Sequence, residues 1–266
     1  MFKIRLRSSI ILMLITLPVV ILGGKILAGV TLMLSVFGMW ELMHMIKADR
    51  FFLGRMACLA AIVPGLLIYF GKSEFLLPFF VGYLLFLMAI YVFSFPKYKA
   101  EQVLYAFFGL FYVGLLFSYL YQVRLLPNGE YLVWLIFIGA WGSDTCAYCA
   151  GILFGKHKAA PVLSPKKTWE GCVGGVIGAA LLAVLYGLAM NLIFHQDISI
   201  ALYALIGSCA SIISQIGDLA ASALKRNNEI KDYGKLIPGH GGVLDRFDSI
   251  LFVAPIVYYL AAYVTI

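Results

Sequence analysis

The chain has 266 residues, 63% of them hydrophobic and only 12% charged, with a formal net charge of +7 and a mean hydropathy of +0.96. A soluble domain is about 25% charged and about half apolar, so an ordinary soluble fold is excluded. The apolar residues also run on for the roughly 20 positions that a spanning helix needs, whereas a membrane β-barrel would show short alternating segments. The expected fold is all-α, a polytopic integral membrane protein occupying 1–266 as a single transmembrane domain, with N-terminal helices in 1–130 and a catalytic half in 131–266.

In chain order, residues 1–7 are basic, and the apolar run behind them continues into a second one with no small-residue cleavage site. It reads as a first span, not as a removable signal. Charged residues then punctuate nine spans, at about 8–24, 26–46, 56–71, 75–95, 102–123, 131–154, 172–194, 198–224 and 249–266. The second carries Glu41 and His44 toward its end, where Glu41 reads as structural or interfacial; the sixth carries Asp144 and the eighth Asp218. His195 flanks a short outer loop and gives no chemical signal. Cys146 and Cys149 form a CxxC, but with no second CxxC or paired His they read as small buried residues packing in a helix. Gly171, Gly174 and Gly178 open the seventh span at a spacing that suits close helix packing.

Nine spans with a cytoplasmic N-terminus put all but Lys25, Lys72 and Arg124 of the 20 Lys and Arg on the inner side. Such a bias follows the positive-inside rule and explains the basic balance without a nucleic-acid partner. It places the connections at 155–171 and 225–248 in the cytoplasm and the C-terminus outside.

The chemistry concentrates in 211–248. Ser211, Gln215, Asp218, Ser222 and Lys225 recur every three or four residues and so share one helical face. An ionised group at the bilayer centre costs about 2.5–3.5 kcal/mol, so this stripe faces protein or water. Asp218 lies seven residues before Lys225, about 10 Å along the helix. Beyond it come Lys225-Arg226, Lys231-Asp232, Pro238-Gly239-His240-Gly241-Gly242 and Asp245-Arg246-Phe247-Asp248. Lys and Arg neutralise phosphate oxygens, a glycine pair admits an anion close to backbone N–H groups, and Asp218, Asp245 and Asp248 are hard oxygen ligands suited to Mg²⁺. Two further stretches have competing readings. Asp144, one turn before Tyr148, is a structural acid or part of a catalytic cavity. The run Ser164-Pro165-Lys166-Lys167-Thr168-Trp169-Glu170-Gly171 is a capped helix start or a triphosphate site. No P-loop, zincin motif or Gly-x-Ser-x-Gly elbow occurs.

The segment from Ser222-Ala-Leu-Lys225-Arg226 through Lys231-Asp232-Tyr233-Gly234 to Pro238-Gly-His240-Gly241-Gly242-Val-Leu-Asp245-Arg246-Phe-Asp248 resembles the signature of the phosphatidate cytidylyltransferases. The likeness extends upstream to 164–171 and to Asp144, Tyr148 and Gly151, and so covers the second half of the chain. It implies synthesis of CDP-diacylglycerol from CTP and phosphatidate, Mg²⁺ dependence with room for a second cation, and a homodimer in contact with membrane lipids. The expected location is a plasma membrane, the inner membrane of a bacterium, with the active site facing the cytoplasm.

On this reading Asp218 and Asp245 jointly hold the metal, with Asp144 and Asp248 as further ligands or supporting groups. Lys225, Arg226 and His240 act at the reacting phosphates, while Ser164, Lys166, Lys167, Ser222, Lys231, Gly241, Gly242 and Arg246 bind substrate. The rivals are a CTP-dependent polyprenol or phytol kinase and, outside enzymes, an ion or metabolite transporter using Asp144 and Asp218. Two-half pseudo-symmetry would favour transport, and no internal repeat is visible.

Overall fold

The computed structural model describes the backbone of residues 2–195 and 198–264 and the side chains of residues 10–195 and 198–263. The side chains of Lys3, Arg5 and Arg7, on which the N-terminal orientation leans, lie outside the described residues, as do the last positions of the ninth expected span.

Helices α1 (Phe2–Leu22) and α2 (Gly24–Met45) are followed by the broken span α3 (Phe52–Ala60) and α4 (Val63–Tyr69) and by α5 (Leu76–Phe93). Two spans contain π-helical stretches: α6 (Ala100–Gly109) passes through Leu110–Leu115 into α7 (Leu116–Leu125), and α8 (Gly129–Phe137) through Ile138–Gly142 into α9 (Ser143–Phe154). The strands β1 (Lys158–Ala160) and β2 (Ser164–Thr168) precede α10 (Trp169–Phe194), α11 (Ile200–Asn227) and α12 (Leu244–Val264). Among the described residues eight helical stretches are long and apolar enough to cross a membrane, and Ile10–Leu22 forms a shorter apolar helix. The protein is therefore an all-α polytopic membrane protein with about nine helices.

The small antiparallel hairpin is the departure from helix. Lys158 pairs with Thr168 and Ala160 with Ser164. Pro161 and Pro165 remove backbone donors and deny this polar connection a helix, so its amides are satisfied by pairing across the turn.

The chain forms two compact units, one of Met1–Gln122 with Asn228–Arg246 and one of Val123–Asn227 with Phe247–Ile266. The signature loop at 228–246 thus belongs with the N-terminal helices, and α11 with the other unit. In the first unit α2 packs so tightly on α6 that a Cβ on Gly109 would lie 2.7 Å from both Leu42 and Met39. In the second, a Cβ on Gly174 would stand 2.2 Å from that of Ala150, and one on Gly178 2.5 Å from the Cys146 sulfur. Apolar side chains gain little by leaving lipid for protein, so close backbone approach at small residues is what joins such helices. Cys146 is therefore a packing residue as expected, whereas Cys149 is exposed on α9 and not buried as expected; all five cysteines are free thiols.

Overpacking a close contact costs about 1–3 kcal/mol. Gly174→Val is expected to lower the unfolding midpoint in detergent clearly, while Gly82→Ala, where a Cβ meets nothing within 4 Å, leaves it unchanged. Equal midpoints would show that α9 and α10 do not depend on this contact.

Candidate active site

In the first unit the site grows from one acid. Glu41, on α2, has no solvent exposure, and its two carboxylate oxygens accept the backbone N–H of Val243 at 2.8 Å and of Leu244 at 2.9 Å. Leu244 begins α12, and the first amides of a helix have no partner within it. A distant carboxylate therefore caps α12, and its negative charge suits the positive end of the helix.

Asp245 follows in the first turn of α12, also buried. Its Oδ2 accepts N–H from Tyr233 at 2.8 Å and from Gly242 at 2.9 Å. One oxygen thus ties two distant points of the loop together. The turn between them closes where Ile237 donates to the Gly241 carbonyl at 2.8 Å, with Gly239 and Gly241 at φ of 77° and 88°. Only glycine adopts such angles freely. A Cβ on Gly242 would lie 2.3 Å from the Glu41 carboxylate, and one on Gly241 2.6 Å from that of Asp245. Both glycines are accounted for by the protein's own acids before any ligand is considered.

This loop walls a cavity of about 610 Å³ lined by Lys231, Lys235, His240, Gly241 and Arg246, with Asp232 beside them. Several cations around a polar hollow on a loop held from below make an anion site in which Arg supplies forked and Lys point-charge contacts.

The second unit holds the polar stripe of α11, and Ser211, Gln215 and Asp218 each have a partner on another element. Ser211 shares a 2.6 Å hydrogen bond with Ser143. Gln215 donates to the Cys172 carbonyl at 3.1 Å. Asp218 accepts from Lys167 of β2 at 2.9 Å, and the same ammonium lies 3.4 Å from the Gln215 carbonyl. The cost of a carboxylate in a membrane helix is thus met by a lysine from the hairpin. Ser222 and Lys225 are half-buried further along α11, and Arg226 is exposed.

The hairpin is itself anchored. Thr168 caps α10 by accepting from Gly171 N–H at 3.2 Å. Glu170 accepts the backbone N–H of Lys156 at 3.1 Å and of His157 at 3.2 Å and bonds the His157 ring at 2.6 Å. Thr168 thus caps α10, and the same stretch leaves Lys166 exposed and Ser164 half-buried on the hairpin. Asp144 stands exposed in the first turn of α9, directly behind the π-helical stretch, with Tyr148 70% exposed. Asp248 is buried in α12 and accepts N–H from Ser249 at 2.8 Å.

The expected residues thus assemble in two places. Lys231, His240, Gly241 and Arg246 surround a cavity over Asp245, and Lys167 joins Asp218; Asp218 and Asp245 belong to different units. Among the described residues no three His, Cys, Asp or Glu side chains gather as a ready-made metal cage. Magnesium does not require one, since it takes one or two carboxylates and fills its shell with water and substrate phosphate. Asp218, its carboxylate 37% exposed and one oxygen on Lys167, fits that demand. The residue whose importance composition and motif left open is Glu41. The signal was an acid inside an otherwise apolar span, but nothing in its neighbours names the amides it caps.

The chain matches the cytidylyltransferase family over residues 3–264, far beyond the second half that the motifs alone cover. It is 34% identical to the phosphatidate cytidylyltransferase of Staphylococcus saprophyticus, with 96% of each chain covered. The proteins of that name from Staphylococcus haemolyticus and Staphylococcus epidermidis are 34% and 35% identical at the same coverage.

Replacing Glu41 by Gln keeps the shape but turns an amide toward a backbone N–H. Losing a hydrogen bond to a charged group costs about 1.5–3 kcal/mol. Glu41→Gln is expected to lower the unfolding midpoint and weaken CTP-dependent activity together, and Glu41→Ala to do both more severely. An unchanged midpoint in detergent would show that the cap does not hold the loop.

Proposed function

The chain belongs to the cytidylyltransferase family, and from that premise we propose that it transfers the cytidylyl group of CTP to phosphatidate, forming CDP-diacylglycerol and pyrophosphate. A phosphate oxygen of the lipid attacks the α-phosphorus of CTP, and the bond to the β-phosphate oxygen breaks as pyrophosphate leaves. The nucleophile is already an anion, so positioning and charge neutralisation are the main demands.

The observation that carries this reading is the cavity over the glycine turn, where Lys231, Lys235 and Arg246 converge with His240. We assign the CTP phosphates to it. Bound magnesium would supply a point charge that neutralises phosphate oxygens, and in the second unit Asp218, partly exposed with one oxygen on Lys167, is the carboxylate whose surroundings suit such an ion.

We also assign the N-terminus and the connections at 155–171 and 225–248 to the cytoplasm of a bacterial inner membrane, on the strength of the 20 Lys and Arg, all but three of which then lie inside. Cysteine accessibility in cells is expected to label Lys231→Cys and Lys166→Cys from the same, inner side; labelling from opposite sides would overturn the orientation.

The test of the reaction uses purified protein, magnesium, phosphatidate and CTP labelled at the α-phosphorus. Label should enter the lipid as pyrophosphate appears; CDP with an unlabelled lipid would instead identify a kinase. In the same assay Asp218→Asn should lose roughly 100-fold to 1,000-fold in rate, since metal charge stabilisation is worth several kcal/mol and each 1.36 kcal/mol is tenfold. Near-normal turnover with an unchanged magnesium optimum would remove Asp218 from the site.

A further inference from the structure

A second cavity, of about 930 Å³, lies in the first unit and shares Lys231, Asp232, Gly234 and Lys235 with the one over the glycine turn. Its other walls come from the end of α2 and the turn into α3, namely Trp40, His44, Lys47, Asp49, Arg50 and Phe51. We propose that this Trp40 cavity, closed between the α2–α3 turn and the strip at 231–235, receives the phosphomonoester headgroup of the lipid acceptor. This rests on the reading of the protein as a phosphatidate cytidylyltransferase.

Charge points there first. Four cations, Lys47, Arg50, Lys231 and Lys235, line the cavity with two carboxylates, Asp49 and Asp232. Asp49 is already taken by the His44 ring at 3.0 Å, and among the described residues none of the four cations pairs with a carboxylate. The lining carries an excess of two positive charges, with Lys47 and Arg50 the cations it does not share with the neighbouring cavity, and a phosphomonoester carries about −1.5 to −2 at neutral pH.

Backbone geometry points the same way. Lys47 sits at φ 57° just past α2, where Lys47 N–H bonds the His44 carbonyl at 3.0 Å and Ala48 N–H that of Met43 at 2.8 Å. Glycine or asparagine ordinarily fills this left-handed position. A lysine there accepts strain of about 1 kcal/mol or more, and the residue lines the cavity.

The apolar walls separate this pocket from its neighbour. Trp40 stacks on His44 with ring centroids 5.4 Å apart, and Phe51 and Phe52 are 41% and 54% exposed at the start of α3. Tryptophan and basic residues at the end of a span are the ordinary composition of a membrane interface. Here they close round a hollow, so a headgroup held in it has its acyl chains beside two spans. The neighbouring cavity, walled by the loop and Arg246, offers no such aromatic flank. Donor and acceptor phosphates would then meet where the two cavities share Lys231, Asp232, Gly234 and Lys235.

The test is the double variant Lys47→Asn/Arg50→Gln; asparagine tolerates the left-handed backbone, so the turn survives. Two measurements are made in detergent micelles: KM for phosphatidate as a mole fraction beside KM for CTP, and the shift in unfolding midpoint given by short-chain phosphatidate or by CTP. Contacts to a charged group are worth about 1.5–3 kcal/mol, so KM for phosphatidate should rise at least roughly tenfold. The stabilisation by phosphatidate should vanish, while KM for CTP stays within about twofold and its stabilisation remains. A rise confined to CTP would make the Trp40–His44 pair a base platform and overturn the proposal. So would unchanged values for both substrates in an enzyme that turns over normally. A wild-type protein neither stabilised by phosphatidate nor able to convert it would sink the parent reading as well.

Discussion

A carboxylate taken wholly out of water must be hydrogen-bonded or it costs several kcal/mol. Glu41 meets that condition with the two amides that open α12. Much of the first unit follows. The acid fixes where α12 begins, and the close approach of Gly234 and Gly242 to its oxygens fixes how the loop lies against α2. The start of α12 in turn places Asp245, which gathers Tyr233 and Gly242 onto a single oxygen. Two carboxylates under one loop repel one another, and the arrangement stands because backbone dipoles face both. A glycine turn that looks built for a ligand is first built for these acids.

The second unit answers the same constraint by another route. Asp218 lies in a long membrane helix and is matched by an ammonium, that of Lys167, delivered by a hairpin. The hairpin needs its own anchors, and Glu170 and Thr168 supply them through the amides of Lys156, His157 and Gly171. Ion pairs and backbone caps differ in what they permit. A capped helix start is rigid, whereas a partly exposed pair can exchange one partner for an ion from solution. Glu41 and Asp245 organise the backbone of the first unit, and Asp218 keeps a partly exposed carboxylate beside Lys167.

Much of this was legible in the sequence because a bilayer leaves few choices. Apolar runs of spanning length could only be helices, and the signature at 222–248 named its chemistry through residues of fixed type and spacing. The polar face of α11 was also readable, since Ser211, Gln215 and Asp218 follow the helical repeat. The partners were not. Glu41 lies about 200 positions before the amides it caps, Lys167 is 51 from Asp218, and periodicity carries no information over such separations. The hairpin at 158–168 was hidden for a different reason: its strands are only 3 and 5 residues long, too short to leave a pattern. Proline at 161 and 165 disfavours a helix there but does not by itself specify a strand.

The strip at 231–235 shows why these distant acids matter to function. It walls the cavity over the glycine turn and the Trp40 cavity alike, and two different acids bear on its adjacent residues. Tyr233 N–H is fixed on Asp245, and Gly234 lies against Glu41 with no room for a Cβ. The flanking Lys231 and Lys235 are exposed and long, but their backbones are not free to drift. Pre-organised charge stabilises a developing charge better than charge that must first be gathered. A loop rich in glycine and lysine is ordinarily a mobile one. Here two buried carboxylates restrain it, one by a hydrogen bond at Tyr233 and one by close contact at Gly234, and so limit how far the backbone beneath Lys231 and Lys235 can move.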